Sequence, residues 1–380
     1  MTTFDLDGLA ADNPLAFMAA LGTLAVADRA WPGGQVQLAW SDRAGAWRPR
    51  LAVPGEVSRE ELLKTLHAGV HREPKADSKE VLQGLDKAMA ATKKNLKDAN
   101  KTFENRLKAK VFRRNSPEAD AFLATEVAPL EAELSEAQQA RAIAAEAGAT
   151  PDITTALGRN LKAPARMLAK LARRAALAAS PADRRASDFF ASFGCEAITD
   201  ENGVLTPTRF SKQNGNSGKN MLTDIGLLME KVSPRQIEES LFETWRYQDD
   251  KYSLGWDPRD VRPYAHQAKN PAAGSVTMHG ANLLAYEALI LFPAVPRGRR
   301  LATTGTVKLE DAWVFTWPVW ESPLPVMVVR SLVAHSALTE PAPDRSLLSA
   351  VGVVDVYRAE HVTVGKRPST QERFRAARPA

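Results

Sequence analysis

From Leu85 to Ser116 the chain carries no proline and no glycine. Apolar residues recur there and just before it at steps close to three, four and seven: Leu82, Leu85, Met89, Leu96, Ala99, Phe103 and Leu107. A stretch without helix breakers and with that period folds as a long amphipathic α-helix, because 3.6 residues per turn gathers the apolar set onto one face. That face must be covered by a second element. The outer face is rich in lysine.

Charge is distributed unevenly around this segment. Residues 87–114 hold ten Lys/Arg against Asp98 and Glu104, a local +8. Residues 116–152 hold eight acids against Arg141, a local −7, and residues 159–185 return to +7 with Asp183 the single acid. The whole chain of 380 residues has a net charge of +5, so the rest is mildly acidic. The acidic block, with Leu123, Val127, Leu130 and Leu134, reads as the partner helix, starting after Asn115-Ser116-Pro117 and ending near Gly148. In the third block Leu157, Leu161, Leu168 and Leu171 share one side, and Arg166, Lys170, Arg173 and Arg174 stack on another. A surface built for solubility mixes signs. Cations one to two helical turns apart, about 5 to 11 Å, can instead follow a nucleic-acid backbone, giving affinity without sequence information.

The flanks read differently. Residues 1–73 predict an α/β region: a helix from Asn13-Pro14 to Asp28, strands at Val36–Trp40 and Trp47–Val53, and a helix at Ser58–Val70 begun by a capping signature. Residues 187–380 predict mixed α/β structure: helices at Asp188–Gly194, Thr223–Val232, Ser233–Trp245 and Gly280–Leu291, a strand at Ala312–Trp317, and a buried helix at Pro323–Ala337. Three segments ending at Gly22, Gly194 and Gly352 suggest helices that pack closely and stop at glycine. The expected fold is α+β and predominantly helical, with mixed α/β ends around a central helical bundle at 74–186.

Composition narrows the chemistry. One cysteine, Cys195, excludes an internal disulfide or a multi-cysteine metal site, and a reducing cytoplasmic setting is expected. The apolar run Leu15–Ala27 follows Asp5, Asp7 and Asp12 and is broken by Gly22, so it reads as neither a signal peptide nor a membrane span. His67 and His71 share a helix face but lack a completing acid. Asp249, Asp250, Asp257 and Asp260 read as capping or ion-paired acids, with a metal cluster as the alternative. Trp313, Trp317 and Trp320 read as core. No motif joins a nucleophile, a base and an oxyanion site, so neither catalysis, cofactor nor metal is expected.

The most unusual stretch is polar. Ser211, Lys212, Gln213, Asn214, Asn216, Ser217, Lys219 and Asn220 crowd a loop containing Gly215 and Gly218. It is not a phosphate-binding P-loop, because Gln213 stands in place of the first glycine and Asn220 in place of the Ser/Thr. Amides both donate and accept, which suits contact with base edges, and glycine permits close approach to a groove.

Several segments carry a resemblance. Leu9-Ala-Ala-Asp-Asn-Pro-Leu-Ala-Phe-Met-Ala-Ala-Leu-Gly-Thr-Leu24 with Trp40, Asp188-Phe-Phe-Ala-Ser-Phe-Gly-Cys-Glu196, Thr206-Pro-Thr-Arg-Phe210, Gly280-Ala-Asn-Leu-Leu-Ala-Tyr-Glu-Ala288 and Trp317-Pro-Val-Trp320 are involved. Together they resemble large-subunit-type proteins of type I CRISPR-Cas interference complexes, notably subtypes I-U and I-G. The resemblance implies a non-enzymatic subunit that checks the short duplex motif beside the target, helps open the duplex and docks a helicase-nuclease. Its partners would be double-stranded and displaced single-stranded target DNA, the guide RNA complex, other interference subunits and the helicase-nuclease, with no membrane. This chain is more compact than larger members, and its bundle lies in the middle rather than towards the C-terminus.

These readings converge on one expectation. Ser211, Lys212, Gln213, Asn214, Asn216, Lys219 and Asn220 would read the duplex motif, and Lys93, Lys94, Lys97, Lys101, Lys108, Arg166, Lys170, Arg173 and Arg174 would hold phosphates. Two alternatives stand beside it: a basic helical scaffold for an acidic protein, and a metal-dependent nuclease using Asp249, Asp250 and a histidine.

Overall fold

The computed structural model describes residues 1–33, 35–71, 76–146, 165–180, 184–199, 203, 205–206, 208–210, 221–250, 252–260, 276–310, 312–364 and 371–380. It is an α+β fold with helix predominant, 51% helix against 21% strand. The chain forms two compact units, Met1–Arg72 with Leu157–Ala380 (unit 1) and Glu73–Ala156 (unit 2).

In chain order, unit 1 opens with β1 (Thr2–Asp5), α1 (Pro14–Ala30), β2 (Gln37–Arg43), β3 (Ala46–Val53) and α2 (Arg59–Val70). Unit 2 supplies α3 (Ala76–Lys108), α4 (Pro117–Phe122), a π turn (Leu123–Val127) and α5 (Ala128–Glu146). Unit 1 resumes with helices α6 (Ala165–Ala178), α7 (Arg185–Phe193), α8 (Met221–Lys231) and α9 (Pro234–Phe242). There follow β4 (Asp249–Asp250), β5 (Val276–Thr277), α10 (His279–Glu287), β6 (Ala294–Arg297), β7 (Arg300–Thr303), β8 (Thr306–Leu309), β9 (Ala312–Trp320) and β10 (Leu324–Pro325). The chain ends with α11 (Val326–Val333), α12 (Arg345–Ala350), β11 (Val353–Val364), β12 (Gln371–Phe374) and β13 (Arg378–Pro379).

Unit 2 spans Glu73–Ala156, against the bundle expected at 74–186. Helix α6, read with the bundle, groups with the flanks. The reason is local: Leu168, Leu171 and Ala175 are each 1% exposed, and α6 packs against α7. Phe189, Phe190 and Phe193 of α7 then carry the pair into the core of unit 1.

Unit 1 is built around α1. Asn13 caps it, its Oδ1 accepting the N–H groups of Leu15 at 2.9 Å and Ala16 at 3.3 Å, and Pro14 sits at the first helical position. Every residue from Pro14 to Ala27 is buried, so the helix has no polar face and is wrapped on all sides. The two larger sheets have the order β1-β3-β2-β10 and the path β12-β11-β9-β8 with β13 also paired to β11; β4-β5 and β6-β7 are two-stranded, and all pairs are antiparallel. Phe17 of α1 stacks on Trp40 of β2 at 5.7 Å and on Trp317 of β9 at 5.6 Å, joining both sheets to the helix. The indoles of Trp317 and Trp320 donate to Ala11 O and Leu38 O, each at 2.8 Å, so two of the three clustered tryptophans are core. Trp313 lies nearer the surface beneath the Arg209 guanidinium, 3.8 Å from its ring centre.

Two expectations are corrected here. Gly22 is not a helix end but lies inside α1, whereas Gly194 and Gly352 do follow helices. The helix expected buried over Pro323–Ala337 is shorter, and Met327 and Val328 are 59% and 45% exposed, because a single helical face meets the core. Strand β11 escaped the sequence reading, although Val353-Val-Asp-Val-Tyr is rich in β-formers.

His361 on β11 yields a pH prediction. Burial, with the Arg209 charge nearby, pushes its imidazole down to about 4 from 6.5. The folded value lies below the unfolded one, so the neutral ring's contribution is present above pH 6.5 and lost as pH falls through 4. Between pH 7.5 and 4 the protein should lose about 2–3 kcal/mol more stability than His361→Gln, read from urea unfolding. Parallel pH profiles for the two proteins would sink this assignment.

Unit 2 is a helical hairpin. Leu85, Met89, Leu96, Ala99, Phe103 and Leu107 are partly buried and Thr92 is 3% exposed, which gives steps of four and three alternating from Leu85 to Phe103 and a further four to Leu107. The facing seam of α4 and α5 includes Ala119, Leu123, Val127, Leu130, Leu134 and Ala137. Ala119 and Val127 are eight apart rather than seven, and the π turn between them absorbs the extra residue, with the Ala128 N–H bonded five residues back to Leu123 O. Pro129 follows at once. Its ring would crowd the carbonyl four residues earlier in an α-helix, which gives the turn a local cause.

Candidate nucleic-acid interface

The hairpin aligns its charge by the same periodicity that aligns its core. Lys94, Lys97, Lys101 and Lys108 follow one another at steps of three, four and seven, with Lys93 beside them, and all five are exposed. The stripe from Lys94 to Lys108 runs about 21 Å along the helix. Among the described residues none of the five stands in an ion pair; those of unit 2 are Arg114–Glu104 at 3.0 Å and Arg141–Asp86 at 2.7 Å. Cations that no carboxylate among the described residues neutralises are available to a polyanion.

Helix α6 presents a second basic face. Lys170, Arg173 and Arg174 are exposed opposite the buried Leu168, Leu171 and Ala175. Arg166 belongs to the same helix, and its side chain lies outside the described residues. Of the nine residues expected to hold phosphates, five lie on α3 in unit 2 and four on α6 in unit 1. Ser211, Lys212, Gln213, Asn214, Asn216, Lys219 and Asn220 all lie outside the described residues.

Two of the acids weighed for metal chemistry, Asp249 and Asp257, have structural work. Asp249 accepts the His279 N–H at 2.6 Å and the Gln236 side-chain amide at 2.7 Å, so it caps the start of α10. The His279 imidazole meets Asp250 through its backbone carbonyl, 3.1 Å from Nε2. Asp257 accepts from Asn13 and from the Arg259 N–H, and burial raises its carboxyl above the usual range. His67 and His71 stack at 4.8 Å, with His67 Nε2 2.9 Å from Val232 O. Among the described residues no three His, Cys, Asp or Glu side chains are grouped to hold a metal ion. Cys195 packs half-buried against Ile198, Ala294 and Leu301.

Sequence reasoning missed the strongest electrostatic feature of unit 1. Glu287, fully buried at the end of α10, accepts Arg185 on both oxygens at 2.5 and 3.0 Å and Arg29 at 2.8 Å. Nearby, Arg330 of α11 binds Asp188 of α7 at 2.6 Å. The signal was a lone acid in the apolar run Leu283–Leu291, but nothing local names its partners, which are 258 and 102 residues away in sequence.

No family model, curated protein or solved structure matches the chain.

Proposed function

We propose that the protein is a non-catalytic DNA-binding large subunit of a type I CRISPR RNA-guided surveillance complex, working in the cytoplasm. The observation that carries the DNA-binding part is the unpaired lysine stripe on α3. The resemblance of Leu9–Leu24 and Asp188–Glu196 to large subunits supplies the placement in such a complex. In this role guide-target pairing supplies most of the sequence specificity, while the protein reads a short flanking motif and holds backbone. The loop at 211–220 is assigned the first task and the stripe the second. No helix among the described residues is long and apolar enough to cross a membrane.

If about six cations meet phosphates, log affinity falls with log salt at a slope near −5. Lys94→Glu/Lys97→Glu/Lys101→Glu should reduce that slope by about 3 and weaken every DNA sequence about equally. Fluorescence anisotropy across a salt series reads both, and a wild-type slope near zero would remove the idea. A scaffold for an acidic protein uses the same stripe. It predicts instead that the triple variant loses a protein complex while its DNA binding is unaffected.

A further inference from the structure

The end of the hairpin has a geometry that the lysine stripe does not explain. Helix α3 closes in a Schellman motif: the Lys110 N–H bonds to Leu107 O at 3.1 Å and the Val111 N–H to Arg106 O at 3.0 Å. Lys110 holds the left-handed position at φ 55°, where glycine is usual, and Asn115 repeats that conformation at φ 63°. In this motif an apolar residue at the Val111 position ordinarily folds back onto the helix. Here the residue it would meet is Arg106, whose guanidinium lies 5.0 Å from the centre of the Phe122 ring. Val111 is left 66% exposed.

The tip is also pinned from beneath. Phe112 is 8% exposed and packs on Phe103 at 5.4 Å and Phe122 at 6.1 Å, so the neighbour of Val111 is fixed in the hairpin core. Beside Val111 in the sequence Lys108, Lys110 and Arg113 are exposed, Arg106 lies over Phe122, and Arg114 is paired with Glu104 at 3.0 Å. An apolar side chain gains nothing against phosphate or water. It gains against the flat face of a base, and bases present that face where stacking is interrupted.

We propose that this tip is a second nucleic-acid contact. Val111 packs on an unstacked base at a duplex end or a double-strand to single-strand junction, while the surrounding cations hold the adjoining phosphates. The inference rests on the DNA-binding reading above and adds to it the kind of DNA structure the hairpin prefers. A single valine beside Lys108, Lys110 and Arg113 suits a base face better than a lipid interior, which needs a larger apolar area.

The test uses the full chain, a forked oligonucleotide with two single-stranded arms, and a covalently closed circular duplex that has no ends. Val111→Ser should weaken fork binding about fivefold and leave binding to the circle unchanged, and Val111→Leu should retain the fork preference. Lys94→Glu/Lys97→Glu/Lys101→Glu should weaken both. Unchanged fork binding by Val111→Ser, or equal losses on fork and circle, would overturn the tip proposal and leave the stripe intact. A Val111→Ser defect confined to phosphatidylserine vesicles would assign the tip to membranes and overturn it as well. Absence of wild-type binding to either DNA would overturn the DNA-binding reading and, with it, this one.

Discussion

Glu287→Ala is expected to lower the stability of unit 1 by about 3–5 kcal/mol, because it leaves two arginines without their shared buried carboxylate. The Glu287 side chain is 0% exposed, and those of Arg29 and Arg185 are 24% and 15% exposed. Burial alone would raise this carboxyl, yet Arg185 and Arg29 hold it below the usual range. Its contribution is therefore present above the ordinary carboxylate value and lost as pH falls below it. The triad ties the last turn of α1 and the first turn of α7 to the end of α10. All eight tryptophans, Trp31 to Trp320, belong to unit 1, so tryptophan fluorescence in urea reports this unit alone. Replacing all three partners with apolar residues, Arg29→Met/Arg185→Met/Glu287→Leu, should recover most of the loss, since the penalty comes from unpaired charge. A cost below about 1 kcal/mol for Glu287→Ala would contradict the buried pairing.

Gly22→Ala is expected to cost about 3 kcal/mol or more, against the intrinsic preference of helices for alanine. A Cβ at this position would lie 1.7 Å from the Leu284 carbonyl oxygen and 2.6 Å from its carbon, so α1 and α10 would have to separate. Backbone cannot rotate away as a side chain can. The control is Gly226 in α8, where an added Cβ meets nothing within 4 Å. Gly226→Ala should stabilise by about 0.5–1 kcal/mol. Thermal unfolding of the two variants should move in opposite directions, and a shared direction would refute the close helix crossing.

Much of the local structure is legible in the sequence. Ser116-Pro117 starts α4, with the Ser116 hydroxyl accepting the Ala119 N–H at 3.3 Å, and Ser58 starts α2 by accepting the Glu61 N–H at 3.1 Å. Caps are decided by residues three apart, and sequence displays them directly. The lysine stripe was legible for a similar reason, since helical period fixes which residues share a face. Val111 was not, because its significance lies in a contact that the Schellman motif ordinarily makes and that Arg106 does not provide.

By itself the sequence determined the elements whose causes lie within a few turns: the long amphipathic α3, its acidic partner, the capped helix starts and the separation of charge along the chain. Tertiary structure alone decided the rest. It placed α6 with α7 in unit 1 rather than with the bundle, set Gly22 against the Leu284 carbonyl, and brought Arg29 and Arg185 to Glu287. The physical reason is range. Backbone hydrogen bonding and helical period act over three or four residues, whereas close packing and the pairing of buried charge act between any surfaces that the folded chain brings together.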